Sequence, residues 1–243
     1  MKINFHFKSD VGLYRTSNQD AVKFVENQYG QFFGIVCDGL GGHNGGETAS
    51  WMAVDIYVKL FQDTNFSRFS DDDINKWLRK ATLCVKNEMI KYVQKYQQLQ
   101  DMGTTVSIIL ISNYSAYLLN IGDSRIYKFE NQKLNLLTID HNIRNAILQS
   151  KTNINVERTL WKTLTSALGP SKKIKIDTFL ISNIQDVTFL LTTDGVHDYL
   201  EEYEVIDILR SKTKLLQKSK EFIDLALNNV STDNLTILII EVK

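Results

Sequence analysis

Apolar residues recur at spacings of three and four from Ile74 to Tyr96, through Trp77, Leu78, Ala81, Val85, Met89, Tyr92 and Val93. That period predicts one apolar stripe along a helix of about 25 residues, with the aromatics and Met89 in a core. Ser70 is placed to cap its first turn, and Asp73 completes a capping-box spacing. The acidic run Asp71-Asp72-Asp73 then suits the positive end of the helix dipole rather than a metal cluster. A second amphipathic segment, Glu47 to Phe61, comes just before, so two adjacent helices should pair on one face of a sheet.

The remaining pattern is mostly β. Segments rich in Val, Ile, Phe and Tyr fall at Phe5–Phe7, Val22–Val25, Phe32–Cys37, Thr105–Ile111, Ser115–Ile121, Arg125–Phe129 and Leu134–Leu137. Others follow at Ile174–Phe179, Val187–Leu191 and Leu235–Val242. Ser107-Ile-Ile-Leu-Ile111 and Thr236-Ile-Leu-Ile-Ile240 are apolar on both faces and should be covered on both sides. The order is three strands, two helices, four strands, a helical stretch, two strands, two helices and a last strand. Strands grouped apart from helices predict an α+β fold, with antiparallel sheets and layered helices. With one proline, Pro170, and no Pro-rich or Gly/Ser-rich linker, residues 1–243 read as a single domain.

Composition narrows the function classes. A hydrophobic fraction of 43% and a net charge of +0 exclude a disordered chain and give no basic excess for nucleic acid or an anionic membrane. The two cysteines, Cys37 and Cys84, lie in apolar stretches and read as small buried hydrophobes in a reducing compartment. The N-terminal residues hold no apolar signal core, and runs such as Ile108 to Ile111 fall far short of a membrane span, so a cytoplasmic protein is expected. Beneath the zero charge, the acids are 18 Asp against 10 Glu. The aspartates gather at strand ends. Phe33 to Cys37 runs into Asp38-Gly39, Val187 to Thr193 into Asp194-Gly195, Leu118 to Ile121 into Gly122-Asp123-Ser124, and Asp233-Asn234 precedes the last strand.

Four converging carboxylates would raise one another's pKa unless cations intervened. Hard oxygen ligands of this kind suit Mg²⁺ or Mn²⁺ better than Zn²⁺, and two such ions are the common device for phosphoester hydrolysis. The glycine-rich stretch Gly41 to Gly46 puts His43 on a loop, without the ending of a nucleotide-binding P-loop. Arg15 is one of only 7 arginines and offers a fork that grips phosphate through two N–H groups.

These pieces form an ordered series: Arg15-x-x-Asn-Gln-Asp20, Asp38-Gly-Leu-Gly-Gly-His43-x-x-Gly-Glu-x-Ala-Ser50, Met102-Gly-Thr-Thr105, Ile121-Gly-Asp-Ser-Arg125, Asp140-His141, Thr165-Ser-Ala-Leu-Gly169, Thr193-Asp-Gly195 and Asp233-Asn-Leu-Thr236. The series resembles the metal-dependent type 2C Ser/Thr protein phosphatases, and most of all their compact bacterial members. The resemblance implies an antiparallel β-sandwich flanked by pairs of helices, four layers in the order αββα, with two core Mn²⁺ or Mg²⁺ ions at one end. Asp38 would bridge both ions, the Gly39 carbonyl would bind one, and Asp194 and Asp233 would be terminal ligands. Asp123 would hold a weaker third ion with Asp194, and Asp20 would lie near the metal waters, more as a supporting acid than a direct ligand. Arg15 matches the phosphate-binding arginine and His43 the proposed general acid.

The substrates implied are phosphoproteins made by a partner Ser/Thr kinase, and a monomer is expected. Gln19 stands where many relatives carry Glu, and Ser166 where an Arg is common. The stretch Asn142 to Lys162 corresponds to the family's flap. His6, His141 and His197 read as structural. The competing reading is a catalytically silent relative serving as a phosphoprotein-binding or partner-binding module. A nuclease is disfavoured by the absence of a basic stripe.

Overall fold

The structure is a computed structural model that describes residues 1–42, 44–150 and 156–243. Strands β1 (Ile3–Asp10), β2 (Asp20–Glu26) and β3 (Phe32–Leu40) lead into helices α1 (Gly45–Gln62) and α2 (Asp71–Lys95). A strand run follows: β4 (Gly103–Thr104), β5 (Val106–Ser112), β6 (Ser115–Ile121), β7 (Arg125–Glu130) and β8 (Lys133–Leu136). Then come helix α3 (Ile143–Ser150), strands β9 (Asp177–Ser182) and β10 (Thr188–Thr192), helices α4 (Asp194–His197), α5 (Glu202–Arg210) and α6 (Leu215–Asn228), and strand β11 (Leu235–Val242).

The capping box forms as its spacing predicts. The Ser70 hydroxyl accepts from the Asp73 N–H at 3.2 Å, while the Ser70 N–H donates to the Asp73 carboxylate at 3.1 Å. Of the apolar stripe, Ile74, Leu78, Ala81, Val85, Met89 and Val93 are buried.

The strands form two antiparallel sheets, one in the order β1-β11-β10-β7-β8 and the other in the order β2-β3-β5-β6-β9, with β4 paired to β3. Three apolar clusters glue four layers. One joins α1 and α2 to the second sheet, one fills the space between the sheets, and one joins α5 and α6 to the first sheet. The α+β sandwich flanked by helix pairs is therefore the observed architecture. No helix among the described residues is long and apolar enough to cross a membrane.

Two expectations need correction. The strand read at Ile174–Phe179 lies at Asp177–Ser182, because Ile174 and Ile176 pack against the helical core without joining the sheet ladder. Cys84 is half-buried on α2, whereas Cys37 is fully buried.

The inter-sheet layer explains where polar chemistry gathers. Side chains alternate faces along a strand, so residues two apart share a face. Val22 and Phe24 of β2 and Val36 of β3 point between the sheets, which places Asp20 and Asp38 at the end of the same rows. The same step leads from Leu238 to Thr236, from Leu191 to Thr193, and from Ile109 through Ser107 to Thr105. Each inward row thus passes from hydrocarbon to polar groups at one end of the sandwich.

Candidate active site

Asp20 and Asp38 are direct cross-strand partners of β2 and β3. Opposed like charges of this kind destabilise a sheet unless something offsets them. The backbone around Asp38 is held on two sides. Its N–H donates to Thr105 Oγ1 at 2.9 Å, and its carbonyl accepts from the Thr105 N–H at 2.8 Å and the Thr104 hydroxyl at 2.9 Å. Thr105 Oγ1 also meets Ser124 Oγ at 2.7 Å, which ties the Asp38 strand end to the turn carrying Asp123. A side chain at position 39 is not tolerated: a Cβ there would collide with the Gly46 carbonyl and lie 2.6 Å from the Gln19 carbonyl. This close approach seats the first turn of α1 against the strand end.

Gly122 is held with φ +101°, conformational space that favours glycine, and a Cβ would meet the Thr105 side chain at 2.6 Å. The Gly122 N–H donates to His141 Nδ1 at 3.2 Å, and His141 Nε2 faces the Asp177 carboxylate at 2.9 Å. His141 therefore pins the Asp123 turn to β9. His197 is buried against Thr192 Oγ1 at 2.9 Å, and His6 meets Ser219 Oγ at 2.7 Å. All three histidines have protein partners. His43, the fourth in the chain and the expected general acid, lies outside the described residues.

The carboxylates feel one another strongly. Burial, with the charges of Asp194 and Asp233, pushes Asp20 up to about 7. Burial, with Asp194 and Asp140, pushes Asp123 up to about 7. Burial and Asp233 raise Asp194 to about 6, while a hydrogen bond with Asp38 pulls the other way. Burial and four neighbouring aspartates, Asp20 foremost, raise Asp38 well above the ordinary carboxylate range.

Exposure separates the acids. Asp38, Asp123, Asp194 and Asp233 each keep part of their surface accessible, whereas Asp20 is only 3% exposed. Thr193 Oγ1 donates to Asp20 Oδ2 at 2.9 Å, and Thr236 also hydrogen-bonds Asp20. Asp20 is thus engaged by protein hydroxyls. Among the described residues, no three His, Cys, Asp or Glu side chains form a group placed to hold a metal ion. The donor chemistry nevertheless fits a hard divalent cation: partly open carboxylates at the ends of fixed strands, with too much negative charge for the protein groups around them.

Arg15 lies on the loop between β1 and β2, and its Nη2 meets Asp233 Oδ2 at 2.7 Å. The loop is clamped by Asn234, whose Oδ1 accepts from the Gln19 N–H at 2.8 Å while its Nδ2 donates to the Val11 and Ser17 carbonyls, both at 2.9 Å. Asn234 stands in the Asp233-Asn-Leu-Thr236 motif, yet no local pattern reveals that its side chain reaches back more than two hundred residues. The Gln19 side chain packs against Gly46. Ser166 closes a loop, with its Oγ accepting from the Lys175 N–H at 2.8 Å and donating to the Lys175 carbonyl at 3.2 Å.

A cleft of about 520 Å³ opens beside Asp123 and Asp194, walled by Arg125, Asp140, Asp198 and the flap. Flap residues Arg144, Arg158 and Trp161 line it too, although the flap sequence had suggested no role for them. Their meeting was hard to foresee because Arg158 and Trp161 lie beyond the end of α3, which carries Arg144. The one hint was composition, since two of the 7 arginines fall in this short stretch.

Residues 14–232 match the family model described as "Protein phosphatase 2C". The serine/threonine phosphatase stp of Listeria welshimeri is 33% identical over 240 residues, covering 97% of this chain and 94% of that protein. Among solved structures, the serine/threonine phosphatase Stp1 from Staphylococcus aureus superposes with a TM-score of 0.89 at 27% identity, covering 100% of this chain and 96% of that one. The fold is shared as well with the catalytic domain of the serine/threonine protein phosphatase PstP, whose structure is a complex with 2 manganese ions. That match has a TM-score of 0.83 at 24% identity and covers 99% of both chains.

Proposed function

The chain belongs to the protein phosphatase 2C family, and from that premise we propose that its strand-end aspartates hold two Mn²⁺ or Mg²⁺ ions beside which Arg15 and His43 act on phosphoserine and phosphothreonine. It is a metal-dependent Ser/Thr protein phosphatase. The finer mechanism is our reading, and one observation carries it: Asp20, Asp38, Asp123 and Asp194 gather at one end of the sandwich, where burial and neighbouring aspartates raise the pKa of each. The neighbour of the same fold in complex with 2 manganese ions supports the choice of cation.

Asp38, the Gly39 carbonyl, Asp194 and Asp233 are assigned to the two core ions, and Asp123 with Asp194 to a weaker third. Bound there, the ions would supply acidified water and offset the charge of the phosphoryl group. Asp20 faces Asp38 across the β2–β3 pair and is held by Thr193 and Thr236, which suits a supporting acid rather than a direct ligand. Arg15 already grips a carboxylate oxygen of Asp233, and its planar fork suits two phosphoryl oxygens equally well. Holding the phosphoryl group in line converts a bimolecular attack into an oriented one.

His43 gives its proton to the departing Ser or Thr oxygen, a poor leaving group without an acid. Attack by water then breaks the phosphorus–oxygen ester bond and yields inorganic phosphate and the free hydroxyl. No phosphoenzyme is required. Burial pushes the Cys37 thiol up, away from thiolate chemistry, and Cys37 lies in the hydrophobic core. We assign this activity to one catalytic domain over residues 1–243, acting as a cytoplasmic monomer opposite a Ser/Thr kinase.

The test is hydrolysis of a phosphothreonine peptide with Mn²⁺, with EDTA, and in Asp38→Ala and Asp194→Ala. Activity should vanish with EDTA and in both variants. Turnover that survives either treatment would overturn the binuclear reading.

A further inference from the structure

The cleft beside Asp123 and Asp194 holds more charge than the phosphoryl chemistry uses, and its pairing can be followed residue by residue. Arg125 is bound to Asp140 by two N–H donors, Nε at 3.0 Å and Nη2 at 2.8 Å. Lys162 is bound to Asp198 at 2.6 Å. Asp123 and Asp194 are assigned to cations. Arg144 and Arg158 are left over. Among the described residues, neither guanidinium makes an ion pair or a side-chain hydrogen bond, and both side chains are exposed. Each instead rests 5.6 Å from the centre of the half-buried Trp161 ring.

That stacking matters physically. A guanidinium resting on an indole is oriented by the ring while its N–H edges stay free to bind. Two cations sharing one ring also repel each other, and an anion placed between them relieves the repulsion. The matching anion is a carboxylate, whose two oxygens fit the guanidinium fork. The exposed apolar side chains Leu136, Ile139 and Leu148 line the same cleft and offer contact area for a polypeptide lying along it.

We propose that Arg144 and Arg158, stacked on Trp161, form a docking site for an acidic side chain of the phosphoprotein substrate, a few residues from the phosphorylated Ser or Thr. The proposal rests on the phosphatase reading of the adjoining site and names a substrate class for it: phosphoproteins with Asp or Glu beside the phosphorylated position. Two observations favour this occupant. With Asp123 and Asp194 given to cations, the charges of the cleft left without a protein partner are the two guanidinium groups, and the cleft is continuous with the site that receives the phosphoryl group, so a peptide bound there must pass it.

The experiment compares three phosphothreonine peptides that share a core and differ only in acidic, neutral or basic flanking residues, each assayed with Mn²⁺. Wild-type protein should favour the acidic peptide over the neutral one by about fivefold in kcat/KM, the scale of two partly exposed charge pairs. The preference should shrink as ionic strength rises. In Arg144→Gln/Arg158→Gln the acidic-to-neutral ratio should fall to about one, and Arg144→Glu/Arg158→Glu should turn the preference toward the basic peptide. Because each ratio is taken within one variant, a general loss of activity cannot imitate the result. Equal wild-type efficiency on acidic and neutral peptides, or a preference that survives the double substitution, overturns the docking site and leaves the phosphatase reading standing. If no peptide is hydrolysed with Mn²⁺, both fall together.

Discussion

The strand-end carboxylates and the flap beside them both carry unbalanced charge, of opposite sign and on opposite kinds of support. Asp20 and Asp38 sit in paired strands, and Asp123 and Asp194 lie two residues past the ends of β6 and β10, so their backbones are fixed by sheet ladders and by partners such as Thr105 and His141. Helix α3 of the flap has no buried residue, and the two arginines rest on a single indole. Bond-making chemistry needs groups held within fractions of an ångström, which only a rigid scaffold supplies. Selecting a substrate flank tolerates looser support, because a long-range charge attraction survives small displacements. The stable half of this site should therefore govern whether reaction occurs, and the loose half on which phosphoprotein.

The sharpest way to break that division is Asp38→Ala, which should lower kcat/KM by about 10³-fold or more on every peptide, since electrostatic support of the reacting group is lost outright. A comparable loss from substituting the flap arginines would erase the distinction.

Next in size is Asn234→Ala. It removes three hydrogen bonds that clamp the Arg15 loop, and a buried site left partly unpaired costs about 1–3 kcal/mol. KM for a phosphopeptide should rise roughly tenfold with a smaller change in kcat, the pattern of weakened phosphate binding. A loss confined to kcat would show that Arg15 is positioned some other way.

Acidity offers a third test. Carboxyls pushed up to about 6 or 7, as in Asp194, Asp20 and Asp123, keep their protons in the folded protein at pH values where the unfolded chain has released them. Their contribution is fully present below the unfolded value, about 4, and is lost as pH rises through the folded values. Buried His197, its pKa held below the ordinary range by desolvation, acts oppositely and costs stability below about 6.5. Because the raised acids outnumber it, EDTA-treated protein should show a higher Tm at pH 5.5 than at pH 8. Mn²⁺ should flatten or reverse that slope. A metal-free Tm that climbs steadily with pH would contradict the crowding of the carboxylates.

The smallest effect lies beside the rigid half. Val230, in the loop leading to Asp233, is a β-branched residue at φ 63° and 57% exposed. Val230→Gly should relieve about 1 kcal/mol of backbone strain and raise Tm by a few degrees without altering kcat/KM.

Local pattern carried much of the fold. The helix from Asp71 was readable because its stripe and its capping box are both encoded within a few residues, and the Asp38 and Asp194 strand ends because apolar runs stop there at Asp-Gly. Strand β9 was misplaced because Ile174 and Ile176 have strand-like chemistry but spend it on the helical core. Contacts between distant residues were not legible. The clamp of Thr193 on Asp20 spans 173 residues, and only the folded sandwich separates the enclosed Asp20 from the accessible Asp38. The same limit hid the meeting of Arg144 and Arg158 on Trp161, since no local period joins α3 to the turn that carries Arg158.

Whether the crowded strand-end aspartates take up two divalent ions through a shared Asp38, as proposed, can be read by counting bound Mn²⁺ with electron paramagnetic resonance in the wild type, Asp38→Asn and Asp233→Asn. Two ions are expected in the wild type, one tight site remaining in Asp233→Asn, and neither tight site in Asp38→Asn. Two tightly bound ions retained in Asp38→Asn would contradict it.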